Sequence, residues 1–346
     1  MKPVRVAIVG MGIGRYNGRG FLHDPRARIV ALCDLVEDRM KEFAAELPPG
    51  VRMMTDYKAL ARDQEVDAIF VGTPNQMHVP VALEAVRHGK HVMITKPLAD
   101  SEAAARQIVQ AAESAGVVNM MSLTSRFSGE VAYLGGMRDQ GAFGPVYYAR
   151  ARSVRRSGIP NWNLGFIQAG GGAFRDMGVH ALDAAWWLMG MPVPVRVLGT
   201  AGARFGPRGQ GYWDFAQPTK EHYSQYASDD YGCGMISFEN GSALQIESHW
   251  ASHQPEEFNM ELFGEEAGAR LKPLTVYRTR NGAPQDIAIT LPKAPEVSDR
   301  IASHFLDCIL DKTACAAPLR HGLIVQQMME ALLASAAIGR EVVIKT

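Results

Sequence analysis

Short apolar runs alternate with amphipathic segments over the first third of the chain. The runs at 4–9, 27–33, 66–72 and 89–94 are rich in β-branched residues and alanine and have the length of buried strands. Segments with helical spacing of apolar residues separate them, and a further strand-like stretch follows at 117–123. This alternation predicts a parallel, doubly wound sheet.

The pattern changes after about residue 144. Residues 146–154 alternate between apolar and polar side chains, and the later apolar stretches are joined by turns. The clearest hairpin joins 234–238 to 243–247 through Asn240-Gly241, a pair that accepts the positive φ angles of a tight turn. Further strands are expected at 260–263, 274–278 and 287–291, and a long apolar helix at 323–338. The second sheet is predicted to be open and mostly antiparallel.

A glycine-rich turn follows the first strand, with the sequence Gly10-Met11-Gly12-Ile13-Gly14. Glycines at such a turn let the backbone approach a pyrophosphate, and the next helix offers free N–H groups to the phosphates. The third glycine of the usual dinucleotide pattern would fall on Arg15, so Gly14 comes one residue early. The turn predicts a dinucleotide-binding, Rossmann-type domain.

Asp34 ends the second strand, where a carboxylate accepts hydrogen bonds from the adenosine ribose diol. No arginine or serine follows it directly, and Glu37 adds negative charge that would repel a 2′-phosphate. These residues predict NAD as the cofactor in preference to NADP.

Polar residues also follow the next two predicted strands. Thr73-Pro74-Asn75 precedes a helix that carries His78, and Thr95-Lys96-Pro97 ends the fourth strand. The carboxyl ends of such strands line a cofactor crevice. Proline excludes a helical conformation at Lys96 and permits a cis bond, which would fix the direction of the ammonium group. A solvated loop lysine is the alternative interpretation.

The segment Gly170–Asp183 is predicted to open a helix with Asp176, His180 and Asp183 on one face, because residues three and four apart are helical neighbours. An acid beside an imidazole suggests acid–base chemistry. The alternative is that Asp176 favours a helix N-terminus and that His180 is a buried structural histidine.

Length and composition set the broad class. A chain of 346 residues exceeds the usual size of one core, so we expect two domains, an α/β domain of Rossmann type at 1–123 and an α+β domain at 124–346 whose last helix packs back towards the first. Lysine plus arginine and aspartate plus glutamate are equal at 36 each, which argues against a nucleic-acid partner.

Cysteine usage and hydropathy favour the cytoplasm. The four cysteines lack a CxxC spacing and are expected to be reduced thiols, neither zinc ligands nor disulfides. They are Cys33, Cys233, Cys308 and Cys315. No apolar run reaches membrane-spanning length, and the N-terminus is a strand interrupted by glycines, unlike a signal peptide.

In their order and spacing, these motifs resemble the glucose-fructose oxidoreductase, inositol dehydrogenase and rhizopine-catabolism family, known as Gfo/Idh/MocA. The resemblance implies that Lys96, Asp176 and His180 form the catalytic group beside the nicotinamide of NAD. It implies a sugar, cyclitol or related polyol as substrate and a homodimer or homotetramer that uses the flat face of the second sheet. Members typically carry Glu-Lys-Pro, whereas this chain has Thr95 in place of the glutamate.

In oxidation of a secondary alcohol, a proton leaves the hydroxyl as hydride leaves carbon. His180 is the candidate base, Lys96 would stabilise the developing alkoxide, and Asp176 would orient the hydroxyl and the histidine. Lysine and histidine could exchange these roles. No metal ion is required, since the lysine supplies the polarising charge. His249 and His253 are four residues apart, but a structural role is favoured for both.

Candidate substrate-binding residues are Lys96, Asp176 and His180 together with Arg126 and Trp162. Trp162 lies on a loop, where it could stack on a sugar ring or anchor the loop. The family often places a basic residue near the position of Arg126. The cluster Arg152, Arg155 and Arg156 could meet an anion, but a solvated face is the favoured interpretation.

Three classes of function fit the sequence. The favoured one is an NAD-dependent dehydrogenase of a sugar or cyclitol. The alternatives are an NAD-dependent, redox-assisted glycoside hydrolase of the same fold and a non-catalytic NAD-binding sensor. The candidate catalytic residues argue against the sensor, because a binding module does not need them.

Overall fold

The computed structural model describes residues 2–214 and 217–345. The chain divides into two compact units, one formed by Met1–Phe127 with Ala294–Gln326 and the other by Ser128–Lys293 with Gln327–Thr346. The segment 294–326 therefore belongs to the first unit, whereas the sequence-based division assigns it to the second domain.

The first unit contains a six-stranded sheet in the order β3-β2-β1-β4-β5-β6, with every neighbouring pair parallel. This confirms the predicted doubly wound sheet. Its elements in chain order are β1 (Val4–Val9), α1 (Ile13–Leu22), β2 (Ala27–Cys33), α2 (Glu37–Ala44), β3 (Arg52–Met54), α3 (Tyr57–Arg62), β4 (Ala68–Val71), α4 (Asn75–Arg87), β5 (His91–Ile94), α5 (Glu102–Ser114) and β6 (Asn119–Met121).

The glycine turn is fixed by a close backbone approach. A Cβ added to Gly72, just after β4, would lie 2.8 Å from both Cα and N of Gly14 in α1. The glycine that comes one residue early in the sequence pattern thus allows the first helix to pack against the sheet. Any side chain at Gly72 would push α1, and the turn before it, away from β4.

The remaining elements in chain order are α6 (Gly129–Asp139), β7 (Val146–Val154), α7 (Val179–Leu188), β8 (Pro194–Gly202), α8 (Lys220–Tyr223), β9 (Tyr231–Phe238), β10 (Ala243–His249), β11 (Glu257–Gly264), β12 (Ala267–Arg270), β13 (Thr275–Arg280), β14 (Ala283–Ala288), α9 (Val297–Leu310), α10 (Leu319–Ile338) and β15 (Val342–Val343).

The second unit contains a nine-stranded sheet in the order β14-β13-β12-β11-β7-β10-β9-β8-β15. β7 and β10 are parallel and the other neighbours are antiparallel, which confirms a mostly antiparallel sheet. The last hairpin differs from the predicted strands at 274–278 and 287–291. Asn281 and Gly282 both have positive φ and make a tight turn between β13 and β14.

Helix α9, which the sequence patterns did not reveal, packs on α1 within the first unit. The rings of Phe21 and Phe305 meet edge to face at 6.3 Å, and a Cβ on Gly20 would collide with the carbonyl oxygen of Ser298. Arg26 donates from Nη1 to Asp307 at 2.6 Å. Burial of this helix against α1 explains why 294–326 belongs to the first unit.

The four cysteines are free thiols. Within the described ranges, no helix is both long and apolar enough to cross a membrane.

We expect Gly72→Ala to lower the free energy of unfolding by about 1–3 kcal/mol, because the added methyl group meets backbone atoms that cannot rotate away. Gly12→Ala is the control, since a Cβ there meets no heavy atom within 4 Å and should cost less than about 1 kcal/mol. Urea unfolding measures both. Equal midpoints for the two variants would contradict the close-packing argument.

Candidate functional site

The glycine turn presents an uncapped helix end. Gly12 precedes α1, no described side chain caps its first turn, and that turn carries no acidic residue. The first N–H groups of α1 therefore lack intrahelical partners. A Cβ on Gly12 would meet no heavy atom within 4 Å, so the space beside this helix end is open. Such an arrangement fits an anionic pyrophosphate. Ile13, at the start of the helix, is 45% exposed.

Asp34 connects the end of β2 to the glycine turn. Its Oδ2 accepts from the Met11 amide at 2.7 Å, and its Oδ1 accepts from the Val36 amide at 2.9 Å. A carboxylate offers about four lone-pair positions, so acceptors remain for a ribose diol. The Met11 side chain is buried and its amide is bound to Asp34, so Met11 shapes the turn.

His78 links the loops after β4 and β5. Its ring is fully buried, with Nδ1 2.7 Å from the Pro97 carbonyl oxygen and Nε2 2.8 Å from the Thr73 carbonyl oxygen. Burial lowers the pKa of His78, while the two carbonyls oppose that change. Both ring nitrogens are engaged by the backbone, so the side chain positions the two loops and makes no direct contact with a ligand in this arrangement.

Lys96 is the second residue after β5 and is half-buried, and its peptide bond to Pro97 is cis. Thr95 is buried, and its amide donates to the Val71 carbonyl at 3.0 Å. In the neighbouring loop Pro74 precedes α4, whose first residue is Asn75. The Thr73 hydroxyl is buried without a hydrogen-bond partner in the described part of the chain. An orphaned hydroxyl at a strand end also fits a missing polar ligand.

Arg126 lies in the interior of the first unit. It is 3% exposed, donates from Nη1 to the Ala316 carbonyl at 2.6 Å, and lies 3.0 Å from Nδ1 of His321. Burial, reinforced by the Arg126 charge, lowers the pKa of His321 to about 4. These contacts hold Arg126 against the loop before α10.

In the second unit, Asp229 anchors the segment that carries Asp176 and His180. Gly172 has a φ of +113°, and any Cβ there would collide with Oδ1 of Asp229. Oδ2 of Asp229 accepts from the Phe174 amide at 2.8 Å. Burial raises the pKa of Asp229 to about 6.

The segment begins with a turn wider than the predicted α-helix. Phe174–Gly178 forms a π-helical turn, and α7 continues from it. Asp176 lies in the π turn and His180 in the first turn of α7, both partly exposed, whereas Asp183 is buried. Inserted π turns are common at functional sites because they redirect side chains.

Two further residues belong to the surroundings of Asp176. The sequence patterns did not single out Trp250, and they favoured a solvated face for Arg155. Nε1 of the buried Trp250 donates to Oδ2 of Asp176 at 3.1 Å. Burial lowers the pKa of Arg155, while the charge of Asp176 opposes that change, and the guanidinium lies 4.8 Å from the Trp213 ring. Arg155 is therefore packed beside the site and does not belong to a solvated face.

Other candidates have structural partners. Arg152 pairs with Glu247 and Glu257 across neighbouring strands. The His249 ring stacks on Tyr231 at 5.8 Å, and His253 meets Phe205 edge to face at 5.2 Å, which supports a structural role for both.

Trp162 belongs to a chain of aromatic contacts. It is 58% exposed and meets Phe166 edge to face at 5.8 Å, and Phe166 meets Trp250 at 6.5 Å. The exposed indole is thus supported from beneath by rings that lead to the tryptophan bound to Asp176.

Comparison with known proteins identifies both parts of the chain. Residues 4–123 match the model of the oxidoreductase family with an NAD-binding Rossmann fold, and residues 131–270 match the GFO/IDH/MocA C-terminal domain.

Curated relatives extend over nearly the whole chain. The chain is 30% identical to D-glucoside 3-dehydrogenase of Escherichia coli K12, covering 98% of this chain and 97% of that one. It is 25% identical to scyllo-inositol 2-dehydrogenase (NAD(+)) of Bacillus subtilis 168, covering 88% and 86%. A levoglucosan dehydrogenase solved with NADH and levoglucosan has the same fold, with a TM-score of 0.86 at 19% identity over the full length of both chains.

The anchoring carboxyl should make stability depend on pH. With a pKa of about 6, folded Asp229 keeps a proton that the unfolded chain has already lost at pH 5, so its contribution to stability falls as pH rises through 6. Between pH 5 and 7.5 we expect the wild type to lose about 1 kcal/mol relative to Asp229→Asn, measured by urea unfolding. If the difference in unfolding free energy between the wild type and Asp229→Asn did not change with pH, it would contradict the raised pKa of Asp229.

Proposed function

Since the chain belongs to the Gfo/Idh/MocA family of NAD-binding oxidoreductases, we propose that it is an NAD-dependent dehydrogenase that transfers hydride between nicotinamide and a secondary alcohol of a sugar, cyclitol or related polyol. The observation that carries the proposal is the placement of Asp176 in the π turn and of His180 in the first turn of α7, on a segment anchored by Asp229 and Trp250. The first unit of the chain matches an NAD-binding family. The relatives named for glucosides, inositol and levoglucosan support the substrate class.

NAD, held at the strand-end loops of the first unit, would supply the acceptor for the hydride. His180 takes the hydroxyl proton, because an imidazole changes charge near neutral pH. Lys96 stabilises the negative charge that develops on the substrate oxygen. Asp176, held by the Trp250 indole, orients the substrate hydroxyl and His180. In the alternative assignment Lys96 and His180 exchange roles, so that the lysine amine takes the proton.

Cofactor contacts are assigned to the strand-end loops of the first unit. The N–H groups after Gly12 would hold the pyrophosphate and Asp34 the adenosine ribose, while Thr73, Pro74 and Asn75 would line the nicotinamide half. His78 contributes through the loops that it joins. We propose that the exposed Trp162 stacks on the sugar ring, and that Arg126 acts by positioning the loop it binds.

We also infer a homodimer or homotetramer. The second sheet leaves apolar side chains exposed, among them Leu198, Met235, Tyr277 and Val343, and exposed apolar side chains on a sheet face favour association.

We expect NAD to raise the melting temperature more than NADP, because Asp34 accepts from a ribose diol and repels a 2′-phosphate. Asp34→Asn keeps an oxygen for the Met11 amide and removes the charge. It should therefore reduce the difference between the melting-temperature increases that NAD and NADP produce. Thermal shift at matched cofactor concentrations measures both effects. An equal or larger shift with NADP in the wild type would refute the assignment.

The proposed activity is tested by incubating the protein with NAD and D-glucosides, inositols and free sugars while following absorbance of NADH. We expect one NADH for each product formed. Lys96→Met and His180→Asn should each reduce turnover by at least about a hundredfold while NAD still raises their melting temperatures.

Two outcomes would redirect the assignment. Full activity in either variant would place the chemistry on other residues. Cleavage of a glycoside without accumulation of NADH, with no oxidation of any free polyol, would favour the redox-assisted hydrolase instead.

A further inference from the structure

The first unit contains a cluster of two thiols and an imidazole that the dehydrogenase reaction does not use. His304 and Cys308 lie four residues apart on one face of α9, and Cys315 approaches them from the loop between α9 and α10. The Nδ1 or Nε2 atom of the histidine and the two sulfur atoms all lie within 4.8 Å of one another. Helix neighbours and a returning loop thus bring together thiols that the sequence shows only as isolated cysteines.

The loop that carries Cys315 is held by backbone hydrogen bonds. The Ala316 amide donates to Nε2 of His304 at 2.9 Å, and the Ala316 carbonyl accepts from Arg126. The Ala317 carbonyl accepts from the Met121 amide at 2.8 Å. The Cys315 sulfur is therefore presented to Cys308 by a fixed backbone.

We propose that Cys315 and Cys308 form a peroxide-responsive dithiol, in which Cys315 is the attacking thiolate and Cys308 the resolving thiol. Cys315 is partly exposed, so a small oxidant can reach it, whereas Cys308 is 4% exposed. Two thiols in contact, one accessible and one shielded, suit a two-step oxidation.

The hydrogen bonds around the pair agree with the two roles that exposure assigns. Hydrogen bonds from the Cys308 thiol, the His304 ring and the Ala317 backbone lower the pKa of Cys315. The same hydrogen bond, together with burial, raises the pKa of Cys308. The thiolate is the reactive form of cysteine, and these hydrogen bonds favour the thiolate on the more exposed Cys315.

The chemistry balances with hydrogen peroxide as the oxidant. The Cys315 thiolate attacks one peroxide oxygen, an S–O bond forms as the O–O bond breaks, and the released hydroxide takes a solvent proton to become water. The Cys308 sulfur then attacks the sulfenic sulfur, an S–S bond forms, and the departing hydroxide leaves as a second water with the Cys308 proton. Two thiols and one peroxide give one disulfide and two waters.

The His304, Cys308 and Cys315 set also matches ligands that zinc accepts. In this structure, however, Nε2 of His304 already accepts from the Ala316 amide, and a metal ion on Nε2 would have to displace it. The observed hydrogen bonds therefore favour the dithiol.

The test treats the reduced full-length protein with equimolar hydrogen peroxide and counts thiols after denaturation. We expect the number of titratable thiols to fall from four to two and to recover with dithiothreitol. Trypsin cuts after Lys312, between the two cysteines, so the disulfide should join peptides 301–312 and 313–320 in the mass spectrum.

Variants assign the order of the steps. Cys308→Ser should stop at a sulfenic acid on Cys315 that dimedone traps, Cys315→Ser should form no disulfide, and Cys233→Ser should behave as the wild type. In the wild type at pH 6, iodoacetamide should alkylate Cys315 at least about tenfold faster than Cys233, because burial raises the pKa of Cys233.

Three outcomes would overturn the proposal: four thiols remaining after peroxide, oxidation of Cys233 before Cys315, or stoichiometric zinc that shields Cys308 and Cys315 from thiol reagents. The thiol count, the disulfide-linked peptides and the alkylation rates are all measured on the wild type. A variant that fails to fold therefore does not decide the result.

Discussion

The near contact between the backbones of Gly14 and Gly72 is the constraint on which the first unit depends. It brings α1 against the end of β4 and so fixes where the glycine turn and the first N–H groups of the helix lie. The other side of α1 packs through Gly20 and Phe21 on α9, which in turn carries His304 and Cys308. Helix α1 thus connects the cofactor turn to the helix that carries the thiol cluster through two close backbone contacts. Neither Gly72 nor Gly20, which make these contacts, tolerates a side chain.

Buried polar side chains perform the corresponding task at the functional segments. His78 joins two strand-end loops through their carbonyl groups, and Asp229 holds the amide at the start of the π turn. In both places the free-energy cost of burying a polar group is offset by hydrogen bonds to the backbone. These hydrogen bonds stabilise a single conformation of the loop. The candidate chemical groups themselves, Lys96, Asp176 and His180, remain partly exposed, as reactive side chains must be.

The sequence predicted those features that depend on local pattern. β4 is apolar throughout and β1 is apolar apart from Arg5, because helices cover both faces of the sheet. β9 and β10 meet at an Asn-Gly turn. Both kinds of strand could therefore be recognised in the sequence. β3 could not, since two of its three residues are exposed and it has no apolar pattern. The π turn, the Trp250 contact and the thiol cluster depend on residues far apart in sequence or on a local change of helical pitch. An Asp229-Asp230 pair before a strand was the one available signal for the anchor, and by itself it specifies no partner.

The hydrogen bond from the Met11 amide to Asp34 has a consequence for how cofactor preference can change in evolution or by engineering. The carboxylate that distinguishes the two nicotinamide dinucleotides also supports the turn that holds their phosphates. A substitution that merely makes room for a third phosphate would remove that support and weaken the binding of both dinucleotides. A lineage that switches preference must therefore keep an acceptor for the Met11 amide, as an amide at position 34 would, while it gains a cation for the phosphate, so the change requires at least two coordinated substitutions.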